Sequence, residues 1–321
     1  MMAGPDATPE SLRVHDRLEA LMSLYWLRPE TALFRALDCQ ILDGIRFRPP
    51  ILEIGCGDGA LSLIRAGGRF DPGFDVFQQT TDLDAFYHNI DIYDAFDPSL
   101  TTPNVIRKPQ YRVQTGLDHK PNLLQKALTT GLYEQVVEAD ANCHLPMPGE
   151  SYQTVFSNIL YWLDDYQTAL KEIRRVLKPG GHVILHVPSD TFRNYSFYQR
   201  LHVSTQDPDW EWLKLIDRGR SDSIKLCQSK KAWQNDFAKA GLKVVHHMQY
   251  LSKPVLEMWD IGLRPISPFL IEMANSVDET VRRKVKANWV EGLLALAQPL
   301  CRMNWPIDTE FPPGFHLFVL E

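Results

Sequence analysis

The sequence lacks the features that mark several large protein classes. Its five cysteines form no C-x-x-C pair, which argues against a zinc site or a disulfide framework and favours a reducing compartment, the cytoplasm. No run of about 18 uncharged apolar residues occurs, and residues 1–10 hold no apolar segment with basic flanks. We therefore expect neither secretion nor a membrane span. A formal net charge of -6 leaves no general basic surface for a nucleic-acid backbone.

What the sequence does contain is a glycine-rich turn. The apolar run ILEI at 51–54 is followed by GCGDG at 55–59 and by the helical pattern LSLI at 61–64. A turn with almost no side chains lets a ligand lie against the backbone. The Gly-x-Gly-x-Gly spacing differs from the dinucleotide fingerprint and resembles the first motif of class I S-adenosylmethionine-dependent methyltransferases. The resemblance implies a cofactor-binding set of Glu53 near the amino group, Gly55, Gly57 and Gly59 under the methionine part, and Cys56 between them.

Two later segments resemble the next motifs of that family. The stretch TGLDHKPNLLQKAL at 115–128 is similar to the second strand and helix, which implies that Asp118 accepts hydrogen bonds from both ribose hydroxyls; Asp91 is the rival for this role. The stretch VVEADANCHLPMP at 136–148 is similar to the adenine-contacting segment, with Asp140 and Ala141 at the adenine. Asp140 alone is also compatible with a helix cap or a turn.

Two further segments complete the order of motifs. A strand that begins at Ser151 leads to Ser157 and Asn158, where amide and adenine N-methyltransferases carry an Asn-Pro-Pro-aromatic element. The missing prolines make those substrates less favoured, and Ser157 and Asn158 are predicted to contact the cofactor. The stretch EIRRVLKPGGHVIL at 172–185 is similar to the helix-turn-strand signature of the family. Independent structural turns would rarely produce all these motifs in the required order.

The resemblance implies an α/β fold with a Rossmann-like seven-stranded sheet and flanking helices. We expect an N-terminal helical cover at 1–48, a cofactor-binding core at 49–190, and substrate-covering segments, a helical insertion and the last two strands at 191–321. Residues 66–110 form an unusually long connection, which we expect to cover the active site. The last two strands are expected to form an antiparallel hairpin.

The expected activity is methyl transfer from S-adenosylmethionine to a small molecule, and no metal is expected. A hydroxyl acceptor needs a base, whereas an amine only has to arrive unprotonated. His144, His186 and Tyr161 are the preferred candidates, ahead of His88 and His119, although a lone histidine is more often structural. O-methylation of a sugar-like or secondary-metabolite hydroxyl is the first hypothesis. N-methylation, a non-catalytic cofactor-binding protein and a nicotinamide oxidoreductase are the alternatives, and a homodimer is left open.

Overall fold

The computed structural model describes residues 9–74, 76–79, 104–210, 224–263, 266–302 and 311–321. The α-helices in these residues are α1 Pro9–Leu24, α2 Pro29–Gln40, α3 Ala60–Arg65, α4 Pro121–Thr129, α5 Tyr166–Val176, α6 Phe197–Thr205, α7 Lys230–Lys239, α8 Lys253–Ile261, α9 Ser267–Asn275 and α10 Glu279–Arg302. The strands are β1 Ile51–Ile54, β2 Arg69–Phe70, β3 Val105–Arg107, β4 Val113–Asp118, β5 Tyr133–Glu138, β6 Tyr152–Ser157, β7 Leu177–Pro188, β8 Val244–Tyr250 and β9 Phe315–Leu320.

Seven of these strands form one mixed sheet in the order β5-β4-β1-β6-β7-β9-β8. The pairs from β5 to β7 are parallel, whereas β9 is antiparallel to both β7 and β8. The central strands are apolar and buried because helices cover both faces of a parallel sheet. The predicted seven-stranded α/β fold is confirmed, including the antiparallel pairing of its last two strands.

The chain order reverses between β1 and β6, which makes this point the switch point of the sheet. The crossover helices α3 and α4 lead from β1 to β4 and β5, while α5 leads from β6 to β7 in the opposite direction. In open α/β sheets, ligands bind outside the carboxyl ends of the strands at such a point. The glycine turn at 55–59 follows β1 directly and therefore lies at this edge.

Helices α1 and α2 pack against each other, and the helical cover expected at 1–48 stays a prediction. Asp16 of α1 pairs with Arg69 and Arg107, and Arg17 pairs with Asp43, just after α2. The ring of Trp26 contacts Trp289 of α10 edge-on, with centroids 6.1 Å apart. Helix α10 thereby holds the N-terminal pair from outside.

The two described ends of the long connection at 66–110 lie next to each other, and its expected position over the active site stays a prediction. Helix α3 carries the chain away from the glycine turn, and its end is joined to the approach to β4 by the hydrogen bond from Gln110 N to Ala66 O, at 2.7 Å. Strands β2 and β3 pair there as a small second sheet. Both described ends of the connection therefore lie at the edge opposite the cofactor site, because β4 begins there. Asp91 and His88 lie outside the described residues.

A histidine pair on the last two strands predicts sensitivity to acid. His247 Nε2 and His316 Nδ1 are 3.1 Å apart, and burial first, with the charges of neighbouring basic groups, lowers both pKa values from 6.5 to about 4. The folded state thus binds fewer protons than the unfolded chain between these pH values. We expect the contribution of this pair to the free energy of unfolding to be fully present above pH 6.5 and to be lost progressively as the pH falls towards 4.

Urea unfolding at a series of pH values checks this expectation. The variant His247→Gln should show a shallower loss of stability over the same interval, whereas His246→Gln, an exposed neighbour on β8, should keep the wild-type slope. Equal slopes in all three proteins would contradict the assignment.

Within the described part of the chain, no helix is long and apolar enough to cross a membrane. The same residues contain no group of three or more histidine, cysteine or acidic side chains arranged to hold a metal ion. All five cysteines are free thiols.

Candidate functional site

The glycine turn is fixed to the neighbouring strand by backbone hydrogen bonds. The amides of Gly55 and Cys56 both donate to the carbonyl of Leu117, at 2.8 and 3.0 Å. The amide of Gly57, the next residue along the turn, donates to Oδ2 of Asp118 at 2.9 Å. The turn after β1 and the acidic end of β4 are therefore one structural unit. This is the juxtaposition that the sequence motifs predict.

Gly55 and Gly57 are needed for different reasons. Both have positive φ, +81° and +55°, which favours glycine. A Cβ at Gly55 would stand 2.4 Å from the side chain of Ile159, so this glycine allows the turn to pack against the segment after β6. A Cβ at Gly57 would meet no atom within 4 Å. The surface above Gly57 is thus open backbone, which fits a cofactor lying against it.

Asp118 is held ready to accept further hydrogen bonds. Its side chain is largely buried and accepts from the amides of Gly57 and, at 3.1 Å, Lys120. An ionised carboxylate offers about four acceptor positions, so two backbone donors leave capacity for ligand hydroxyls. The exposed ring of His119 lies 3.5 Å away. These contacts fit the predicted role of Asp118 towards the ribose.

Asp118→Ala is expected to weaken binding of S-adenosylmethionine by about 1–3 kcal/mol, because charged hydrogen bonds are lost and the amide of Gly57 loses its partner. Isothermal titration calorimetry with S-adenosylhomocysteine measures this loss. Asp16→Ala removes a carboxylate that pairs with Arg69 and Arg107 at the opposite edge, and should bind normally. Equal affinity in wild type and Asp118→Ala would contradict the role.

The next strand end presents Asp140 and Ala141. Asp140 is exposed, and its carboxylate accepts from the backbone amide and the side-chain amide of Asn142, both at 2.8 Å. These hydrogen bonds lower the pKa of Asp140. Ala141 is buried beside it. An ionised, exposed carboxylate next to a small apolar residue fits recognition of an adenine amine, although the local turn also uses Asp140.

Glu53 is engaged inside the protein. Its carboxylate accepts from Ser62 Oγ, from Arg65 Nη2 at 3.1 Å and from Tyr133 OH at 3.1 Å, and it is buried. The guanidinium of Arg65 in turn lies 4.1 Å from the ring centroid of Phe156. These contacts anchor α3 to the sheet. The expected role of Glu53 towards the amino group of the cofactor stays a prediction.

Cys56, Ser157 and Asn158 differ in what they present at this edge. Cys56 is buried, and burial together with the neighbouring carboxylate of Glu53 raises the pKa of its thiol, which makes it unreactive. Ser157 is fully buried, and its hydroxyl accepts from the amide of Ile159 at 3.3 Å. Asn158 is partly exposed. Of the two strand-end residues, Asn158 is therefore the one open to a ligand.

Two of the three catalytic candidates are buried, and the third is exposed. His144 is 73% exposed on its side chain and lies 3.1 Å from Glu172 of α5. A hydrogen bond from Arg175 is the main reason that the pKa of Glu172 falls to about 2. This network faces solvent, so the structure favours His144 as a surface residue.

Tyr161 and His186 are buried near the carboxyl ends of β6 and β7. Tyr161 follows β6 in a short 3-10 helix, is buried, and its ring lies 5.9 Å from that of Phe315; burial raises the pKa of its phenol. His186 lies two residues before the end of β7 and is 2% exposed. Its ring contacts Phe156 edge-on at 5.6 Å.

No sequence motif points to the two residues that form the hydrogen-bonded row with His186. Tyr250 OH lies 2.5 Å from His186 Nδ1 and donates to Asp38 Oδ1 at 2.8 Å. Asp38 is separated from Tyr250 by 212 positions, so no motif connects them. The one available signal is that Asp38 interrupts the buried stripe of Phe34 and Ile41 on α2. An acid on an apolar stripe indicates a buried partner.

Comparisons with known proteins return methyltransferases. The family described as "Methyltransferase domain" matches residues 104–185. Trans-aconitate 2-methyltransferase of Azoarcus sp. (strain BH72) is 26% identical over 212 residues, which cover 65% of this chain and 73% of that protein. Malonyl-[acyl-carrier protein] O-methyltransferase of Halorhodospira halophila is 33% identical over 87 residues, but the match covers only 26% of this chain and 29% of that protein. A solved S-adenosylmethionine-dependent methyltransferase from Thermotoga maritima is 18% identical, with 70% and 78% coverage and a TM-score of 0.41.

The sequence match begins just before β3 and ends in β7, so it includes Asp118 and Asp140 and stops one residue before His186. The glycine turn lies outside it, but is fixed to β4 by the hydrogen bonds described above. The sheet order, the open glycine turn and the matching sequences identify the chain as a class I S-adenosylmethionine-dependent methyltransferase, with S-adenosylmethionine as its methyl donor.

Proposed function

We propose that the acceptor is a hydroxyl oxygen of a sugar-like or secondary-metabolite small molecule. The observation that carries this proposal is His186, which lies at the cofactor edge of the sheet with an imidazole nitrogen that has no hydrogen-bond partner among the described residues. A hydroxyl has a high pKa and needs a base to become a good nucleophile. Imidazole is the usual side chain for this task.

The strand register supports an acceptor position near His186. Ile54 of β1 pairs with Ser157 of β6, which pairs with Leu185 of β7. Gly55 and His186 are therefore level and two strand spacings apart, which is about 10 Å. This span matches the size of a small molecule and lies beside the open glycine turn.

Aromatic side chains around the start of β9 support an acceptor with a flat or apolar face. Phe315 is edge-on to Phe34 at 5.5 Å and to Phe192 at 5.2 Å, and Trp259 lies 4.7 Å from Phe34. Tyr161 adjoins the same ring. Rings of this kind pack against sugars and aromatic metabolites alike.

Two other acceptor classes make different demands on the site. The relatives described above act, by their names, on trans-aconitate and on a malonyl group. In this chain, Arg35 of α2 lies 2.9 Å from Asp38, next to His186. A carboxylate acceptor would use such a cation and would need no base. An amine acceptor would need only to arrive unprotonated.

The bound cofactor supplies a methyl group on a sulfonium, whose sulfur leaves as a neutral thioether. The chain's own contribution is then to position the acceptor, exclude water and remove one proton. Acidic charge and free thiols lead us to propose a cytoplasmic enzyme that does not act on nucleic acid; a homodimer stays a prediction.

Methyl transfer to a panel of acceptors tests the proposal. The purified protein is incubated with S-adenosylmethionine that carries a tritiated methyl group and with sets of sugars, phenols, aliphatic alcohols, carboxylic acids and amines. We expect label to appear first in the hydroxyl compounds, at a rate that increases with pH. Transfer only to carboxylic acids or only to amines would overturn the hydroxyl assignment, and tight cofactor binding without transfer to any class would favour a non-catalytic protein.

A further inference from the structure

Three buried side chains from distant parts of the chain form a continuous hydrogen-bonded row. Asp38 of α2 accepts from the hydroxyl of Tyr250 at the end of β8, and that hydroxyl lies 2.5 Å from Nδ1 of His186 on β7. Tyr250 is 0% exposed, and the other two are nearly as buried. Burial of three polar groups is unfavourable unless they satisfy each other, so this row is a specific arrangement.

The chemistry of the groups fixes the direction of each hydrogen bond. Asp38 is also paired with Arg35 Nη1 at 2.9 Å, and although burial opposes it, these partners lower the pKa of Asp38, which keeps the carboxylate ionised. An ionised carboxylate only accepts, so the single hydroxyl proton of Tyr250 points to Asp38. The oxygen of Tyr250 can then only accept from His186. Nδ1 of His186 must therefore carry a proton.

The other ring nitrogen is left unused. Nε2 of His186 is buried and has no hydrogen-bond partner among the described residues. A buried polar atom without a partner is unfavourable, and near the carboxyl end of a strand a ligand group is one candidate partner. If the three residues served only to pack α2 on the sheet, nothing would require this atom to stay free. An acceptor hydroxyl would supply the missing partner.

We infer that Asp38 and Tyr250 are positioning residues that hold His186 in the Nδ1-protonated tautomer, so that its Nε2 is free to take the proton of the acceptor hydroxyl. In that step the lone pair of Nε2 forms the new N–H bond, and the O–H bonding pair stays on the oxygen as its nucleophilic pair. The positive charge that develops on the ring lies next to Asp38, whose Oδ1 is 3.6 Å from Nδ1. The inference rests on the proposed hydroxyl acceptor and adds the residues that make His186 a base.

The charged and titratable groups around His186 come from three elements. Helix α2 contributes Arg35 and Asp38, the turn after β6 contributes Tyr161, and β8 contributes Tyr250. Burial first, and then the nearby Asp38, raises the pKa of Tyr250, so this hydroxyl stays neutral. Asp38 is thus the one anion of this set, and removal of Tyr250 OH leaves it 3.6 Å from Nδ1 without the bridging hydroxyl.

Nitrogen-15 NMR of the imidazole ring tests the inference without an acceptor. In the full-length protein with S-adenosylhomocysteine, we expect the His186 ring to show a protonated Nδ1 and an unprotonated Nε2. Tyr250→Phe should give a mixture of tautomers or the reverse tautomer. Tyr152→Phe is the matched control, because it removes another buried hydroxyl. Tyr152 lies at the start of β6, its hydroxyl is 2.8 Å from Oγ1 of Thr115 on β4, and its loss should leave the His186 ring unchanged.

Kinetics with an acceptor from the panel gives the second readout. Tyr250→Phe should lower kcat about 10- to 100-fold, a part of the usual contribution of a general base, and should leave the Kd of S-adenosylhomocysteine and the KM of the acceptor within about twofold. The acidic limb of the kcat profile should also move. Tyr152→Phe should keep the wild-type kcat.

Each outcome decides the inference. A protonated Nε2 in the wild type, or an unchanged tautomer and kcat in Tyr250→Phe, overturns it. If Tyr250→Phe does not fold, Asp38→Asn is used instead, and the wild-type spectrum still tests the tautomer. If no hydroxyl compound is methylated while the ring has the expected tautomer and depends on Tyr250, the row stands and the proposed hydroxyl acceptor fails.

Discussion

Gly57→Val is expected to weaken binding of S-adenosylmethionine by roughly 100-fold or more, while the sheet still folds. At about 1.4 kcal/mol for each tenfold change, this is a loss of about 3 kcal/mol of binding free energy. The open surface at this position is the backbone on which we expect the cofactor to lie. No atom stands within 4 Å of a Cβ at residue 57, so the branched side chain would not collide with the protein; it would occupy the ligand's space. Titration calorimetry with S-adenosylhomocysteine measures the loss.

The main alternative cause is backbone strain, and the chain offers a matched control. Gly57 and Gly131 both have positive φ, +55° and +68°, and both have open space where a Cβ would stand. Gly131 precedes β5 and lies at the edge opposite the cofactor. Gly131→Val should therefore lose similar stability in urea unfolding but bind the ligand normally. Equal losses of affinity in the two variants would assign the effect to strain, and full affinity in a folded Gly57→Val protein would place the cofactor elsewhere.

The fold was predictable from the sequence because its signals are local. The period-two and helical patterns predicted all seven strands of the main sheet, and the resemblance to the family implied that they form one Rossmann-like sheet. The antiparallel pair of β2 and β3 was not predicted, since two-residue and three-residue strands carry too little periodicity.

For the long connection at 66–110, composition and topology carry different information. Its aromatic and acidic composition is typical of segments over active sites, but composition does not say at which edge of the sheet a segment begins. The topology does: a segment between the end of α3 and the start of β4 must begin at the amino end of the parallel strands. Counting crossovers would have given this answer from the predicted elements alone.

The contact between the glycine turn and Asp118 was predictable from the sequence, whereas the partners of His186 were not. Asp118 and the glycine turn belong to motifs with fixed spacing, and the structure brings them within hydrogen-bond distance. The carboxylate of Glu53 has the same kind of motif position, yet its contacts with Arg65 and Tyr133 show that sequence position does not fix side-chain direction. The partners of His186 come from elements that only the tertiary fold brings together.

His186→Gln is expected to lower kcat by roughly 10²- to 10⁴-fold, because glutamine keeps a buried polar group but cannot take a proton at neutral pH. The affinity for S-adenosylhomocysteine should change little, since the glycine turn and Asp118 are untouched. Wild-type kcat should fall as the pH is lowered, because the base must be unprotonated, and the variant should lose this acidic limb. Initial rates across pH, with an acceptor from the panel, measure both effects.

Three further variants separate this role from the rival assignments. His246→Gln replaces an exposed histidine on β8 and should keep the wild-type kcat. His144→Gln breaks the surface contact with Glu172, and Tyr161→Phe removes a buried phenol. If one of these two variants, and not His186→Gln, abolished the acidic limb of the kcat profile, the residue changed in that variant would be the base. If all of these variants kept both the rate and its dependence on pH, the acceptor would need no base. A carboxylate acceptor, which is ionised in neutral solution, would then fit better than a hydroxyl.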